Sequence, residues 1–407
     1  MTRSRSFFNA SPMVRLPRRA KSLQTTRSSI HAPTKLWVPV YPRVPQEIID
    51  RIIELALEGL VPGGARQTDF IKIKNLMLVS RNVRQITLKS FFQNFVVEEK
   101  PNWHNLLDFL FLEGRHDPKV GFTRIRHLVL SSKVLVEGNS AGKRTFQPIS
   151  LHRMKNLQSL WCDFSAETLV YQHDCSVCLL ESLSRGFGHS QLTSLTLERI
   201  TRIDTSLLES IAQGLPTLVD LHLSTTERID LSCCWTCYED SLTCISHSPI
   251  PGAYPTAEAL AESFAIALGP LKRLAHLSLG IFLSDESLVY SHIDQAIGER
   301  QGVNAKTEDC VLCAEASTTI LRRELIATRL LAETLKNLQS VEWSSFYAGK
   351  LASTKKVDEV ELIVNDGIVP KESYDRAHIR GKHYRFGGMK ANVRVARNEG
   401  KVWVGRL

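Results

Sequence analysis

In the stretch YPRVPQEIIDRIIELA (Tyr41–Ala56), isoleucines stand at 48, 49, 52 and 53, with Asp50 and Arg51 between them and Glu47 and Glu54 on either side. Spacings of three and four gather apolar side chains on one side of a helix, so the pattern predicts an amphipathic helix over 44–58. Pro45 suits a first turn, and Gln46, Glu47 and Asp50 suit the positive end of the helix dipole. VPGGARQTD (Val61–Asp69) reads as a loop, with its adjacent glycines as the strongest signal. FIKIKNLMLVSRNVRQITLKSFF (Phe70–Phe92) predicts one or two further helices with Leu76, Leu78, Val79, Val83 and Ile86 as apolar positions. A helical segment of about fifty residues cannot build a core of its own. Its apolar stripe must be covered either by the rest of the chain or by another protein.

Further along, a short strand pattern of the form L-x-x-L-x-L recurs. It occurs as IRHLVL from Ile125, LQSLWC from Leu157, LTSLTL from Leu192, LVDLHL from Leu218, LAHLSL from Leu274 and LQSVEW from Leu338. Several copies follow a helical segment and a small connector, as in SLLESIAQGLPTLVDLHL and LAESFAIALGPLKRLAHLSL. The longest such helix is read over Thr318–Leu338. Each helix–turn–strand unit can bury its apolar edge only against the next unit, which is the logic of a solenoid.

These units resemble leucine-rich repeats. The strand starts are separated by 32, 35, 26, 56 and 64 residues, against ~20–29 for regular repeats. The long intervals predict inserts near 225–257 and 283–316. The fold expected is therefore α/β, an irregular leucine-rich-repeat solenoid over 96–346. The competing reading is an α/β sheet domain with coincidentally Leu-rich strands. After Phe346 the pattern changes, and NVRVARNEGKVWVGRL alternates apolar and polar residues around Asn398–Gly400, predicting a β-hairpin in the 347–407 extension.

Charge sharpens the division. The chain has 407 residues and a net charge of +9. No Asp or Glu precedes Glu47, while nine basic residues do; residues 47–407 carry 42 charges of each sign. The stretch 371–407 is +7 and the middle, 47–370, is −7. The basic pI therefore belongs to the two ends and does not point to specific nucleic-acid binding. Residues 1–40 read as a disordered basic tail, with nuclear import, an acidic partner or a transit peptide as the functional alternatives. No apolar run reaches the ~18 residues needed to span a bilayer, so no membrane partner is expected. Nine cysteines without a secretory signal fit a reducing compartment. The expected location is cytoplasmic or nuclear, with mitochondrial as the lesser reading.

Two separated pieces, Val44-Pro45 with Glu47-Ile48-Ile49 and then Leu78-Val79-Ser80-Arg81 ahead of Phe91-Phe92, resemble the F-box motif. Val44 stands where the family has Leu, the connecting loop is longer, and the two phenylalanines take the place of a Trp. The resemblance implies a small all-α motif over 41–95. It also implies an adaptor-binding face made by Val44, Pro45, Ile48, Ile49, Ile52, Ile53, Leu78 and Val79. In that family the apolar helix face enters a groove of a Skp-type adaptor and, through it, a cullin. The chain would then be the substrate receptor of a Skp–cullin–F-box ubiquitin ligase, raising a target's effective concentration near the ubiquitin-loading enzyme. The alternative is a ligase-independent scaffold in which these helices only cap the solenoid. Strand alternation offers His127, Trp161, Thr196, His222, His276 and Glu342 as substrate-facing positions.

Three C-x-x-C pairs stand at Cys175/Cys178, Cys234/Cys237 and Cys310/Cys313, each in a segment after a strand. If equivalent loops stack, Cys234, Cys237, Cys310 and Cys313 would make a tetrathiolate zinc site stapling the two inserts. The other reading is buried, small apolar cysteines in turns. No other cofactor is expected. YAGKLAS lacks the first glycine and the Ser/Thr of a phosphate loop, with Ser344 and Leu351 at those positions, and no nucleophile–base pairing can be read. The chain is not expected to be an enzyme.

Overall fold

The structure is a computed structural model that describes residues 44–60, 65–66, 69–113, 123–138, 144–146, 151, 154–165, 169–184, 191–225, 248–285, 311–345, 389–398 and 401–406. The chain divides after Pro45. Of the first unit only Val44 and Pro45 are described, and both are exposed. Everything below concerns the second unit, Gln46–Leu407.

That unit is mixed α/β, with a ten-stranded sheet and, among the described residues, eight α-helices. Eight strands run parallel and side by side in chain order: β1 (Ala65–Arg66), β2 (Asn94–Val97), β3 (His127–Ser131), β6 (Ser159–Asp163), β7 (Ser194–Ile200), β8 (Asp220–Thr225), β9 (His276–Phe282) and β10 (Ser340–Ser345). Between β3 and β6, β4 (Val136–Gly138) and β5 (Arg144–Phe146) form a separate antiparallel pair. The sheet ends in an antiparallel hairpin, β11 (Met389–Asn398) and β12 (Lys401–Arg406), with β11 laid against β10. An open sheet with sequential neighbours is compatible with a solenoid of strand-bearing units. The six L-x-x-L-x-L patterns coincide with β3 and β6 to β10.

Alternation explains the core. Alternate strand residues are buried and half-buried. The register stacks the buried ones in two ladders across the sheet. One runs Phe95, Leu128, Leu160, Leu195, Leu221, Leu277, Val341, Val393. The other runs Val97, Leu130, Cys162, Leu197, Leu223, Leu279, Trp343, Ala391. Trp343 is fully buried and its indole N–H donates to Thr328 Oγ1 at 2.9 Å, which satisfies its one polar atom.

The connectors repeat in geometry as well as in sequence. Leu157, Leu218, Leu274 and Leu338 are each fully buried and each donates a backbone N–H to the carbonyl three residues earlier. The N–H of Gln158, Thr193, Val219, Ala275 and Gln339 reaches the carbonyl of Arg126, Gln158, Thr193, Val219 and Ala275 respectively. This ladder closes the backbone groups that precede each strand. Asn156 Nδ2 and Asn337 Nδ2 add side-chain bridges to the carbonyls of Thr123 and Lys272, in the preceding connectors.

Helices α1 (Gln46–Leu60), α2 (Phe70–Met77) and α3 (Arg81–Gln93) precede β2, and α4 (Lys100–Glu113) follows it. Then come α5 (Leu169–Ser184), α6 (Thr205–Gly214), α7 (Ala257–Leu268) and α8 (Val311–Thr334), of which α6 packs on α5, α7 on α6 and α8 on α7. Their starts follow capping chemistry: Asp204 accepts from the Leu207 N–H and Thr256 from the Ala259 N–H. The region 41–95 is not wholly α, because β1 lies within it and pairs with β2. α8 begins at Val311 and ends at Thr334, earlier at both ends than the span read from sequence, since Leu335 and Leu338 belong to the connector. Most of both expected inserts, 226–247 and 286–310, lies outside the described residues.

Candidate functional site

The first three helices bury one set of side chains and expose another. On α1, Ile53 and Leu57 are buried and Ile49 is half-buried. Below them Ile73 of α2 and Ile86, Leu88, Phe91 and Phe92 of α3 are buried. Phe91 meets Phe70, Phe92 and Phe95 edge-on at centroid separations of 5.9, 5.2 and 6.1 Å, a favourable aromatic geometry. Phe95 lies on β2, in a sheet ladder between Ala65 of β1 and Leu128 of β3. The helices are thus joined to the first strands through α3.

The other face of α1 is uncovered. Ile48 is 51% exposed and Ile52 59%, whereas the adjacent Ile53 is 4% exposed. Leu55 and Leu60 are exposed on the same helix. Residues 48, 52 and 55 follow the spacing of one helix face. After α2, Leu78 and Val79 are 74% and 69% exposed. They sit in a turn fixed by Leu78 N–H to Asn75 O, Val79 N–H to Leu76 O, and Ser80, which caps α3 by accepting from the Val83 N–H at 3.1 Å. Asn82 Nδ2 donates to Gln46 Oε1 at 2.9 Å, which brings this turn to the start of α1 near Ile48. Lys72 Nζ reaches the Leu60 carbonyl at the other end, where Ile71 is also exposed. Exposed apolar side chains therefore stand at both ends of α1 and along it between them. Exposed apolar side chains gathered on one element make this the first candidate interaction surface.

Of the eight adaptor-facing positions expected from sequence, Val44, Pro45, Ile48, Ile52, Leu78 and Val79 are exposed, Ile49 is half-buried and Ile53 belongs to the core. Leu55, Leu60 and Ile71 were not among them. Leu55 could have been found from its i+3 relation to Ile52; Ile71 could not, because its neighbours Phe70 and Ile73 give no sign of which face is inward.

The second candidate surface is the face of the sheet that carries the half-buried positions. Trp161, Thr196, His222 and Glu342 fall in one row across β6, β7, β8 and β10, with Ser278 of β9 between the last two. His127 and His276 fall in the neighbouring row with Ser159, Ser194, Asp220 and Ser340. Ser278 Oγ donates to Glu342 Oε1 at 2.7 Å, and His276 Nδ1 lies 2.9 Å from Ser340 Oγ. Burial and then the neighbouring Arg126 hold the His127 imidazole below its ordinary pKa, which favours the neutral ring. In a third row, Asp163 accepts from Arg199 at 3.2 Å. Arg199 has φ 60°, at a register shift in β7 where its N–H donates to Ser224 Oγ.

Cys175 and Cys178 lie on α5 and are buried, as is Cys162 of β6. They occupy a helix, not a turn. Burial, with Asp163 and Cys175 nearby, pushes the Cys162 thiol well up, which keeps it protonated and inert. Cys234, Cys237 and Cys310 lie outside the described residues, and of Cys313 only its place in α8 is described. Among the described residues no three His, Cys, Asp or Glu side chains gather as a metal site. No described helix is long and apolar enough to cross a membrane.

Compared with known families and with curated proteins, the chain matches no family model and no curated protein.

Proposed function

We propose that this chain is a protein-interaction receptor that docks an adaptor through α1 and the turn after α2, and a target protein through the open face of its sheet. The observation that carries the reading is the division of α1: Ile53 and Leu57 serve the chain's own core, while Ile48, Ile52 and Leu55 face solvent alongside Leu78 and Val79. A helix needed only as a cap would have no use for the second set. An amphipathic helix with anchors at i, i+4 and i+7 is the partner-facing half of a helix-in-groove interface. With the F-box-like residues quoted above, the fitting adaptor is of the Skp type, and the role is substrate receptor of a Skp–cullin–F-box ubiquitin ligase. The sequential parallel strands, the recurring buried connector leucines and the hydrogen-bond ladder between connectors support an irregular leucine-rich-repeat solenoid as the substrate-presenting part.

Fully burying an Ile side chain contributes ~1.5–3 kcal/mol, so covering the exposed half of each anchor contributes about 1 kcal/mol. Ile48→Asp/Ile52→Asp removes two anchors and places two carboxylates in an apolar groove. The expected loss is at least ~3 kcal/mol, or more than about a hundredfold in Kd. The test is co-purification with a Skp-type adaptor. The wild-type chain brings the adaptor with it and the double variant does not. A chain that stays alone with adaptor in excess is a scaffold whose helices serve only the core.

A further inference from the structure

The docking surface consists of two pieces carried on different elements. Ile48 and Ile52 stand on α1, whereas Leu78 and Val79 stand in the turn between α2 and α3. A groove that takes both pieces at once binds best when their separation is set beforehand, since ordering them on binding costs affinity. Packing fixes α1 on α3, but all four anchors lie outside that core. Three polar side chains link them. Gln46 Nε2 donates to Asp50 Oδ1 at 2.7 Å, one turn further along α1. Asn82 Nδ2, in the first turn of α3, donates to Gln46 Oε1 at 2.9 Å. The carboxylate sets the direction of this relay. An ionised carboxylate only accepts, so Gln46 turns its N–H to Asp50 and its carbonyl to Asn82, which must then present its own N–H. Ser80 completes the link from the other side. By capping α3 it ties the Leu78–Val79 turn to the helix end that carries Asn82.

We propose that Asn82, Gln46 and Asp50 are positioning residues of the docking surface, a polar clamp that holds the Leu78–Val79 turn at a fixed place relative to Ile48, so that one groove can take both. This rests on the reading of α1 as an adaptor-docking helix and names the part of the chain that presets its geometry. None of the three is an apolar anchor, and their effect is exerted through Ile48 and the turn.

The experiment titrates the full chain with a purified Skp-type adaptor by calorimetry and measures the thermal midpoint of each variant. Asn82→Asp keeps the side-chain shape, removes the donor to Gln46 and, as an acid in the first turn of α3, favours the helix. Its thermal midpoint should equal or exceed that of the wild type, while its adaptor Kd rises by about threefold to tenfold. Asn82→Ala should raise Kd by a similar factor without the added charge. Gln46→Glu alone sets two carboxylates one turn apart on α1 and should also weaken binding. Gln46→Glu/Asp50→Asn moves the one carboxylate to the middle of the relay, where both amides donate to it, and should return Kd to within about twofold of wild type. Wild-type affinity in both Asn82 variants, a loss that follows a lowered thermal midpoint, or a double variant as weak as Gln46→Glu alone overturns the proposal. A wild-type chain that does not bind the adaptor removes the receptor reading and the clamp with it. A wild-type chain that binds, with Asn82 variants that bind equally, removes the clamp alone.

Discussion

Ile52 and Ile53 are neighbours in sequence with opposite environments, and that contrast gives a quantitative prediction. Ile53 is 4% exposed, and it packs in the core that holds Ile73, Ile86, Phe91 and Phe92. Ile53→Ala removes three buried carbons and leaves a cavity, a change that costs about 2–5 kcal/mol. Alanine's better helix propensity returns only about 0.4 kcal/mol, so a net loss of about 3 kcal/mol is expected. Ile52 is 59% exposed, and Ile52→Ala should stay within about 0.5 kcal/mol of the wild type. Native-state hydrogen exchange reads the effect where it arises. Amides of α1 should exchange about a hundredfold faster in the Ile53 variant and at wild-type rates in the Ile52 variant. Adaptor affinity should show the reverse order, with Ile52→Ala weaker than wild type despite intact exchange protection. Equal destabilisation by the two substitutions would refute the assignment of the two faces. So would an Ile52 variant that loses protection and keeps its partner.

Three other sites give independent checks. A Cβ at Gly280 would lie 2.7 Å from Ser224 Cα, so Gly280→Ala forces β8 and β9 apart and should lower stability by about 1–3 kcal/mol in a thermal or urea melt. Arg397 donates to the carbonyls of Leu338, Ala332 and Leu335 at 2.6, 3.1 and 2.9 Å; Arg397→Ala should cost about 2 kcal/mol and accelerate exchange at the end of α8 and in β11. Glu324 of α8 is fully buried with Arg406 of β12 at 3.3 Å. Burial raises its carboxyl to about 7, against the opposing pull of Arg406 and a hydrogen bond from Ser345. A raised carboxyl means that the folded chain holds this proton more tightly than the unfolded one. Its contribution is full below about 4.5 and is lost as pH rises to about 7, on the order of 3 kcal/mol. Glu324→Gln should flatten stability across that window, and a variant with the wild-type pH slope would dismiss the role of Glu324.

The strands were legible because each must serve two masters at once, pairing on its edges and burying alternate leucines. That requirement leaves L-x-x-L-x-L or a close variant in β3 and β6 to β10. β2 carries Asn94-Phe95-Val96-Val97 directly after α3, and an apolar run so close to a helix end has no period of its own to announce a strand. The hairpin at β11–β12 was readable from its alternation, but its place against β10 was not, because register between distant segments is set by tertiary packing. The C-x-x-C spacing at 175/178 also fits a helix, and α5 buries both thiols. At α1 the isoleucines at 48, 49, 52 and 53 form one broad stripe in sequence. Only packing against α3 divides it into an inner and an outer half.

Adaptor docking through α1 is tested by the mass of the particle formed when purified chain and purified Skp-type adaptor are mixed, followed by light scattering after size exclusion. A one-to-one complex is expected with wild type and two separate species with Ile48→Asp/Ile52→Asp. Two separate species with the wild-type chain would contradict it.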